Sequence, residues 1–335
     1  MNNYENELIV SHAPHIVTKT SVKQIMATVF LSLLPTLIAG TILMGSRALS
    51  LSAVCVLSSV LFEFLWNKLL KKENTTADFS AAVTGLLIAL NVPVTLPYYM
   101  AIIGCGFAII VVKQFFGGLG HNFVNPALAA RAFLLASFGG AMTSFLTPGE
   151  ITSVFSSVAA ADAASYATPL AALKSGSGEM VSYADLFFGN IGGSLGEVSA
   201  LAILIGAAIL VWRKVIKLYI PLSYLITLMC LGYISGGDGL YQILCGGAML
   251  GAFFMATDYT TSPTTAAGQI VFGFGCGAIT FIIRKWGGYP EGVTYAILLM
   301  NIVTPLIDKY IRPRIFGTVK PPKIEDSEKA VSGNE

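Results

Sequence analysis

The chain is made of apolar stretches of some 14 to 22 residues joined mostly by short polar links, and this pattern excludes most folds. A helix needs roughly 20 mostly apolar residues to cross a bilayer, and in lipid each backbone group must find its partner inside the helix or inside protein. Stretches at 24–44, 50–68, 79–92, 97–115, 124–145, 198–213, 217–234, 240–257, 268–284 and 291–309 approach or meet that length. The third and eighth run into Asn91-Val92-Pro93 and Thr261-Ser262-Pro263, so they are expected to be partial helices continued by loops. The expected fold is an all-α polytopic membrane protein with about ten transmembrane helices. Charged residues make up 11% of the chain, against roughly 25% in soluble domains, which agrees. Residues 1–23 are polar and carry no cleavable leader pattern, so the first apolar stretch is expected to be a retained helix.

Charge sets the expected orientation. With the N-terminus inside, sixteen of the 20 basic residues fall on the cytoplasmic side, among them Lys19, Lys23, Lys68, Lys71, Lys72, Lys113, Arg131, Arg213, Lys214 and Lys217. Arg47, Lys174, Arg284 and Lys285 fall outside, a distribution that obeys the positive-inside rule. The chain then divides into a cytoplasmic segment (1–23), a first five-helix membrane repeat (24–145), a long polar extracytoplasmic loop (146–197), a second five-helix repeat (198–311) and a cytoplasmic tail (312–335). A net charge of +2, spread in short clusters, leaves no footprint for nucleic acid. The five cysteines stand singly in apolar runs with no CxxC pair, which reads as small buried side chains rather than iron-sulfur ligands.

An internal repeat is legible. Lys113-Gln114-Phe115-Phe116-Gly117-Gly118 matches Ile283-Arg284-Lys285-Trp286-Gly287-Gly288, each after a Gly-Cys-Gly, at 104–106 and 275–277. Pro93 and Pro263 each lie 24 residues before the first glycine of the matched pair, Gly117 and Gly287. An odd number of helices per half makes the two repeats inverted, an arrangement that puts ligand or ion sites at interrupted helices.

Several residues are candidates for chemistry. Asn125-Pro126 and Ser262-Pro263 each set an N-cap type ahead of proline, either as plain helix starts or as anion-facing helix ends. Asp258, among hydroxyls in Thr257 to Ser262, is either a cation or ligand contact or a hydrated cap. Glu63 and Arg131 raise the same question within their helices. His121 has no companion at metal-ligand spacing. Gly273-Phe274-Gly275-Cys276-Gly277 lies inside an apolar stretch with no strand before it, so it reads as close helix packing and not as a dinucleotide loop. Thr168, in Ser165-Tyr166-Ala167-Thr168-Pro169-Leu170, reads from spacing as the N-cap of a short loop helix covering Leu170 to Lys174.

Four separated motifs together carry a family resemblance: Ala13-Pro14-His15-Ile16, Gly118 to Ala127, Ser165 to Leu170, and Ala256-Thr257-Asp258 followed by Ser262-Pro263. Over nearly its full length the chain resembles the D subunits of Rnf electron-transport complexes and, more distantly, the B subunits of Na+-translocating NADH:quinone reductases. The short N-terminus resembles the Rnf type more closely. Tyr166 departs from the glycine often found there, at the variable place of the motif.

The resemblance implies FMN attached through a phosphoester to Thr168, with Ser165 opening the attachment motif, on an extracytoplasmic flavin loop. It implies electrons passing from reduced ferredoxin, through iron-sulfur and flavin-bearing partner subunits, to this FMN and on towards NAD+, coupled to export of Na+ or H+. A separate flavin transferase would make the attachment, so the chain needs no catalytic residue of its own. A second, noncovalent flavin at the repeat interface follows by analogy, without residues assigned to it. Asp258 and Asn125, from their own positions, are candidate ion or flavin contacts. A solute channel or transporter is the competing reading of an inverted repeat, and a partner-docking scaffold a third. Neither predicts a covalent flavin at Thr168.

Overall fold

The computed structural model describes residues 20–72, 75–146, 152–153, 167–175, 181–289 and 291–312, and among them there is no strand. Ser165 and Tyr166, and the tail beyond Arg312, lie outside the described residues. The first half contains α1 (Val22–Met44), α2 (Ser46–Leu69), α3 (Ser80–Leu90), α4 (Tyr98–Gly106), α5 (Pro126–Ser137) and the short α6 (Gly139–Met142). A π-helical stretch, Phe107–Gln114, continues α4. The link holds α7 (Pro169–Ser175) and α8 (Tyr183–Phe188). The second half contains α9 (Ala200–Trp212), α10 (Tyr219–Ile234), α11 (Gly239–Leu244), α12 (Ala248–Leu250), α13 (Ala266–Trp286) and α14 (Val293–Tyr310), with α12 continued by the π-helical stretch Gly251–Met255.

Each expected apolar stretch carries a helix, and three of them, α1, α2 and α13, are long and apolar enough to cross a membrane. Together with the apolar side chains that these helices expose, this makes the chain a membrane protein. Three details differ from expectation. The fifth stretch breaks at Phe138. The eighth splits into α11 and α12 because Gly246 and Gly247, both at φ +62, turn the backbone through a region that side chains disfavour. Ser262-Pro263 starts no helix; α13 begins three residues later, with Thr265 Oγ1 accepting from the Gly268 N–H at 3.0 Å. Asn125 does cap α5, its Oδ1 accepting from the N–H groups of Ala127 (3.0 Å) and Leu128 (3.3 Å).

The helices show the polarity expected of a lipid solvent. On α1, Leu31, Ile38 and Ile42 are exposed while Ser32, Thr36 and Gly40 are buried. Without a hydrophobic drive between helices in lipid, small residues that allow close backbone approach govern packing. A Cβ on Gly85 of α3 would lie 2.5 Å from the Cys55 carbonyl oxygen on α2. Cβ atoms on Gly273 and Gly277 of α13 would lie 2.7 Å from carbonyl oxygens of Ile220 and Tyr224 on α10. The glycine-rich 273–277 stretch therefore serves helix packing. α2 packs on α3 and α4, α10 packs on α13, and the halves meet where α1 crosses α9 and α5 crosses α14.

The helix ends define two faces. One carries the ends of α2, α9 and α14 with Lys68 to Lys72, Arg213 to Lys217, and Lys309. The other gathers Thr152 against Met44, Arg47 against Val94 and Leu96, Thr95 against Ser144, and Lys174 against Gly287 and Tyr289. Arg131 does not join the basic face as its charge suggested; it is buried within the protein among carboxylates.

Candidate functional site

Thr168 stands immediately ahead of α7, where its Oγ1 accepts from the Ala171 N–H at 3.3 Å and its carbonyl accepts from the Ala172 N–H at 2.9 Å. The cap expected from spacing is present, on a helix that starts at Pro169 and ends at Ser175. Thr168 is 6% exposed, so its hydroxyl is held, not displayed. α7 is anchored at both ends. Leu170 is buried against the turn at Gly246, and the Lys174 ammonium donates to the carbonyls of Gly287 and Tyr289. Beside α7 opens a cleft with about 730 Å³ of empty space, walled by Leu173, Lys174, Gln242, Phe281, Arg284 and Lys285.

Arg284 ties that cleft to the centre of the molecule. It is 5% exposed, and its Nη2 donates to the carbonyls of Cys245 (3.0 Å) and Gly246 (3.1 Å) while Nε donates to that of Glu291 (3.0 Å). The Glu291 carboxylate pairs with Arg131, whose Nη2 also reaches Glu197 Oε1 at 3.1 Å and whose Nη1 reaches Asn91 Oδ1 at 3.2 Å. Two arginines and two glutamates thus form a balanced cluster joining the end of α3, α5, the segment before α9 and the loop before α14. Burial pushes the Glu291 carboxyl up, to about 7, against the pull of Arg131. Arg131 was recognisable in the sequence as a helix charge needing a partner; Glu197 carried no signal because it sits in a polar link, and Glu291, at the edge of the tenth apolar stretch, read as an ordinary end residue.

Another cavity opens between the halves towards the basic face, with about 810 Å³ of empty space when its open mouth is included. Its walls combine Val83, Leu87 and Phe254 with Asn122, Asn125 and Asp258. The Asp258 carboxylate accepts from the hydroxyls of Thr260 (3.3 Å) and Thr261 (3.4 Å), and burial pushes its carboxyl up. Asn125 Nδ2 donates to the Met255 carbonyl at 3.2 Å. Asn301, with its amide turned to satisfy both ends, accepts from the Asn125 N–H at 3.1 Å and donates to the Thr261 carbonyl at 3.3 Å. Asp258 and Asn125 therefore line one cavity, although 133 positions separate them in the sequence. Thr168 is not among its walls.

Lys113 reaches the same cavity from the π-helical end of α4. Its ammonium lies 3.0 Å from both carboxylate oxygens of Glu63 on α2 and 2.6 Å from Ser80 Oγ. Glu63 also accepts from Thr75 (2.9 Å) and Gln114 (3.2 Å). The acid inside the second helix is thus fully partnered, by a lysine whose charge had suggested the cytoplasmic surface.

A model of the NQR2, RnfD, RnfE family matches residues 9–317, which include both halves, the α7 segment and the cavity. The chain belongs to this family. It is 50% identical over 319 residues to the D subunit of the Na(+)-translocating ferredoxin:NAD(+) oxidoreductase complex of Acetobacterium woodii, covering 94% of this chain and 97% of that relative. The D subunit of the proton-translocating ferredoxin:NAD(+) oxidoreductase complex of Clostridium ljungdahlii is 39% identical over 330 residues, with 94% and 97% covered. The D subunit of the ion-translocating oxidoreductase complex of Salmonella typhi is 36% identical over 344 residues, with 92% and 98% covered. Membership of this family accounts for a chain that presents no catalytic constellation of its own among the described residues: its relatives are named as subunits of larger complexes.

Proposed function

We propose that this chain is the D subunit of an Rnf-type complex that couples electron transfer from reduced ferredoxin to NAD+ with translocation of Na+ or H+ across the cell membrane. The observation that carries the reading is identity of 50% to a subunit of that name, along nearly the whole of both chains. Electrons would reach it from iron-sulfur and flavin-bearing partner subunits, and no reaction would run on this chain alone. Its basic face would lie in the cytoplasm with both termini, and α7 would lie on the extracytoplasmic side, as the positive-inside rule asks. The two five-helix sets would be inverted repeats, with α3 and α12 as the interrupted helices.

FMN would be esterified to Thr168 by a separate flavin transferase, with Ser165 completing the attachment motif. When bound, FMN supplies one- and two-electron transfer, and the protein contributes binding, orientation and electrostatics. The residues around Thr168 suit that group. An ester oxygen keeps a lone pair, so the Ala171 N–H can still be satisfied after attachment. Lys174, Arg284 and Lys285 bring positive charge to the wall of the neighbouring cleft, which favours a phosphate monoanion, and Phe281 adds an aromatic wall. The buried state of Thr168 requires the transferase to act before α7 seats, or α7 to lift for it. The cavity between the halves is the proposed place of a second, noncovalent flavin, its aliphatic and Phe254 walls meeting the ring and Asn122, Asn125 and Asp258 meeting polar edges or a cation.

The test is a denaturing gel of the full chain, purified from cells that express the transferase and viewed under ultraviolet light, followed by mass mapping of the fluorescent peptide. A fluorescent band lost in Thr168→Ala and retained in Asn125→Ala is expected. Fluorescence that survives Thr168→Ala, or a band that never fluoresces, overturns the attachment site.

A further inference from the structure

A second opening on the basic face lies between the link joining α9 to α10 and the loop that precedes α13. Lys214, Lys217, Tyr259, Ser262, Thr264 and Gln269 stand around it, enclosing about 810 Å³ of empty space open to the surroundings. Two features make this more than a surface hollow.

The first is backbone conformation. α9 ends with the Val215 N–H bonded to the Leu210 carbonyl at 2.9 Å, which throws Lys214 into the left-handed region at φ +56. Glycine is the residue that takes this helix-ending position without strain. On the opposite face glycines do so: Gly189 closes α8 at φ +112 and Gly236 follows α10 at φ +79. A cation near a helix C-terminus gains from the helix dipole, but at an exposed end that gain does not exceed the backbone cost of a left-handed side chain. Lys71, just after α2 on the same face, takes the same conformation at φ +52, so the backbone sets a lysine at each of these helix ends and the cleft beside Lys214 is what distinguishes it.

The second is charge. Among the described residues neither Lys214 nor Lys217 pairs with a carboxylate. The acids of the flanking segments are engaged: Asp308 accepts from the N–H (3.1 Å) and hydroxyl (3.2 Å) of Thr264, and Asp258 faces Thr260 and Thr261. Among the described residues the cleft thus offers two ammonium groups without a carboxylate partner beside the Ser262 hydroxyl, while Leu218, Leu222, Ile270 and Val271 on its flanks are exposed and apolar. Positive charge at the mouth with an apolar flank on a membrane helix is the complement of an anionic lipid.

We propose that this cleft binds the phosphate headgroup of an anionic phospholipid, with Lys214 and Lys217 taking the phosphate and the acyl chains lying along α10 and α13. The site shares Val215, Ile216, Thr257 and Tyr259 with the cavity between the halves, and the Tyr259 hydroxyl donates to the Val215 carbonyl across that common wall. A bound lipid would steady the wall and so make the cavity sensitive to membrane composition. The inference does not depend on which cofactor the chain carries.

Delipidated full-length chain, given phosphatidylglycerol or phosphatidylcholine in micelles, would be assayed by native mass spectrometry. Phosphatidylglycerol should bind in preference. Each basic group near the membrane surface is worth about a fivefold factor, so Lys214→Gln or Lys217→Gln should weaken retention about fivefold and the double variant about 30-fold. Lys71→Gln/Lys72→Gln, the same charge change at another helix end of this face, should leave retention within about twofold. Lys214→Gly separates folding from binding, because it should raise the melting temperature while weakening lipid retention. Equal binding of both lipids, equal loss in the Lys71/Lys72 control, unchanged binding in the double variant, or displacement of the lipid by millimolar inorganic phosphate would each overturn the proposal.

Discussion

Breaking the Lys113–Glu63 pair tests how this protein tolerates charge inside a membrane bundle. The two side chains are 2% and 1% exposed. Glu63→Leu leaves the Lys113 ammonium with Ser80 Oγ as its remaining acceptor, and a buried charge stripped of its counter-ion costs about 3–5 kcal/mol. Lys113→Met leaves the carboxylate with two neutral donors, Thr75 and Gln114, so its cost should sit near the lower end, about 3 kcal/mol. Glu63→Leu/Lys113→Met removes both charges with little change of volume. Gln114, which is buried, loses its acceptor, and that costs about 1–3 kcal/mol, partly offset by the desolvation of two ions that is no longer required. The double variant should therefore be more stable than Glu63→Leu alone, with a coupling energy of at least about 3 kcal/mol. Unfolding in mixed micelles of rising sodium dodecyl sulfate content measures this. Trp66, whose ring centroid lies 5.3 Å from that of Phe115 beside the pair, provides a local fluorescence signal. Losses that add to within about 0.5 kcal/mol would show that the two charges do not depend on one another and would refute the reasoning.

Gly85→Ala should destabilise the chain by about 1–3 kcal/mol in the same unfolding assay, since its Cβ would meet backbone atoms of α2, the Cys55 carbonyl oxygen at 2.5 Å and the Val56 Cα at 2.8 Å. Arg131→Met should cost about 3–5 kcal/mol, because it strands Glu197 and Glu291 together. The pH dependence follows from Glu291, whose carboxyl is raised by burial to about 7. The folded state then binds more protons than the unfolded chain between the ordinary carboxylate range and neutrality, so stability should fall as pH rises across that window, and Glu291→Gln should flatten the slope in a thermal melt series. Asn125→Ala should lower stability by about 1 kcal/mol through loss of the α5 cap, read as a shift of the melting temperature.

Much of this molecule was written in the order of its residues. Lipid removes water as a partner for the backbone, so length and polarity alone place the helices, and Asn125 ahead of Pro126 announces the start of α5. Thr168 was legible as a cap because a hydroxyl followed by proline has few other local uses. Ser262-Pro263 was misleading for the converse reason: a local signal names a position where a helix can begin, and Thr265 outcompeted it. The break between α11 and α12 depends on two adjacent glycines in the left-handed region, over which Leu170 of α7 and Glu197 pack so closely that a side chain would not fit. Partnership was decided only in three dimensions. Glu63 finds Lys113, Arg131 finds Glu197 and Glu291, and Asp258 comes to share a cavity with Asn125, because helices from both halves bring together groups that stand far apart in the chain. Local sequence governs which backbone conformation is cheap, whereas the cost of burying a charge depends on whatever lies across from it, and that is fixed by packing alone.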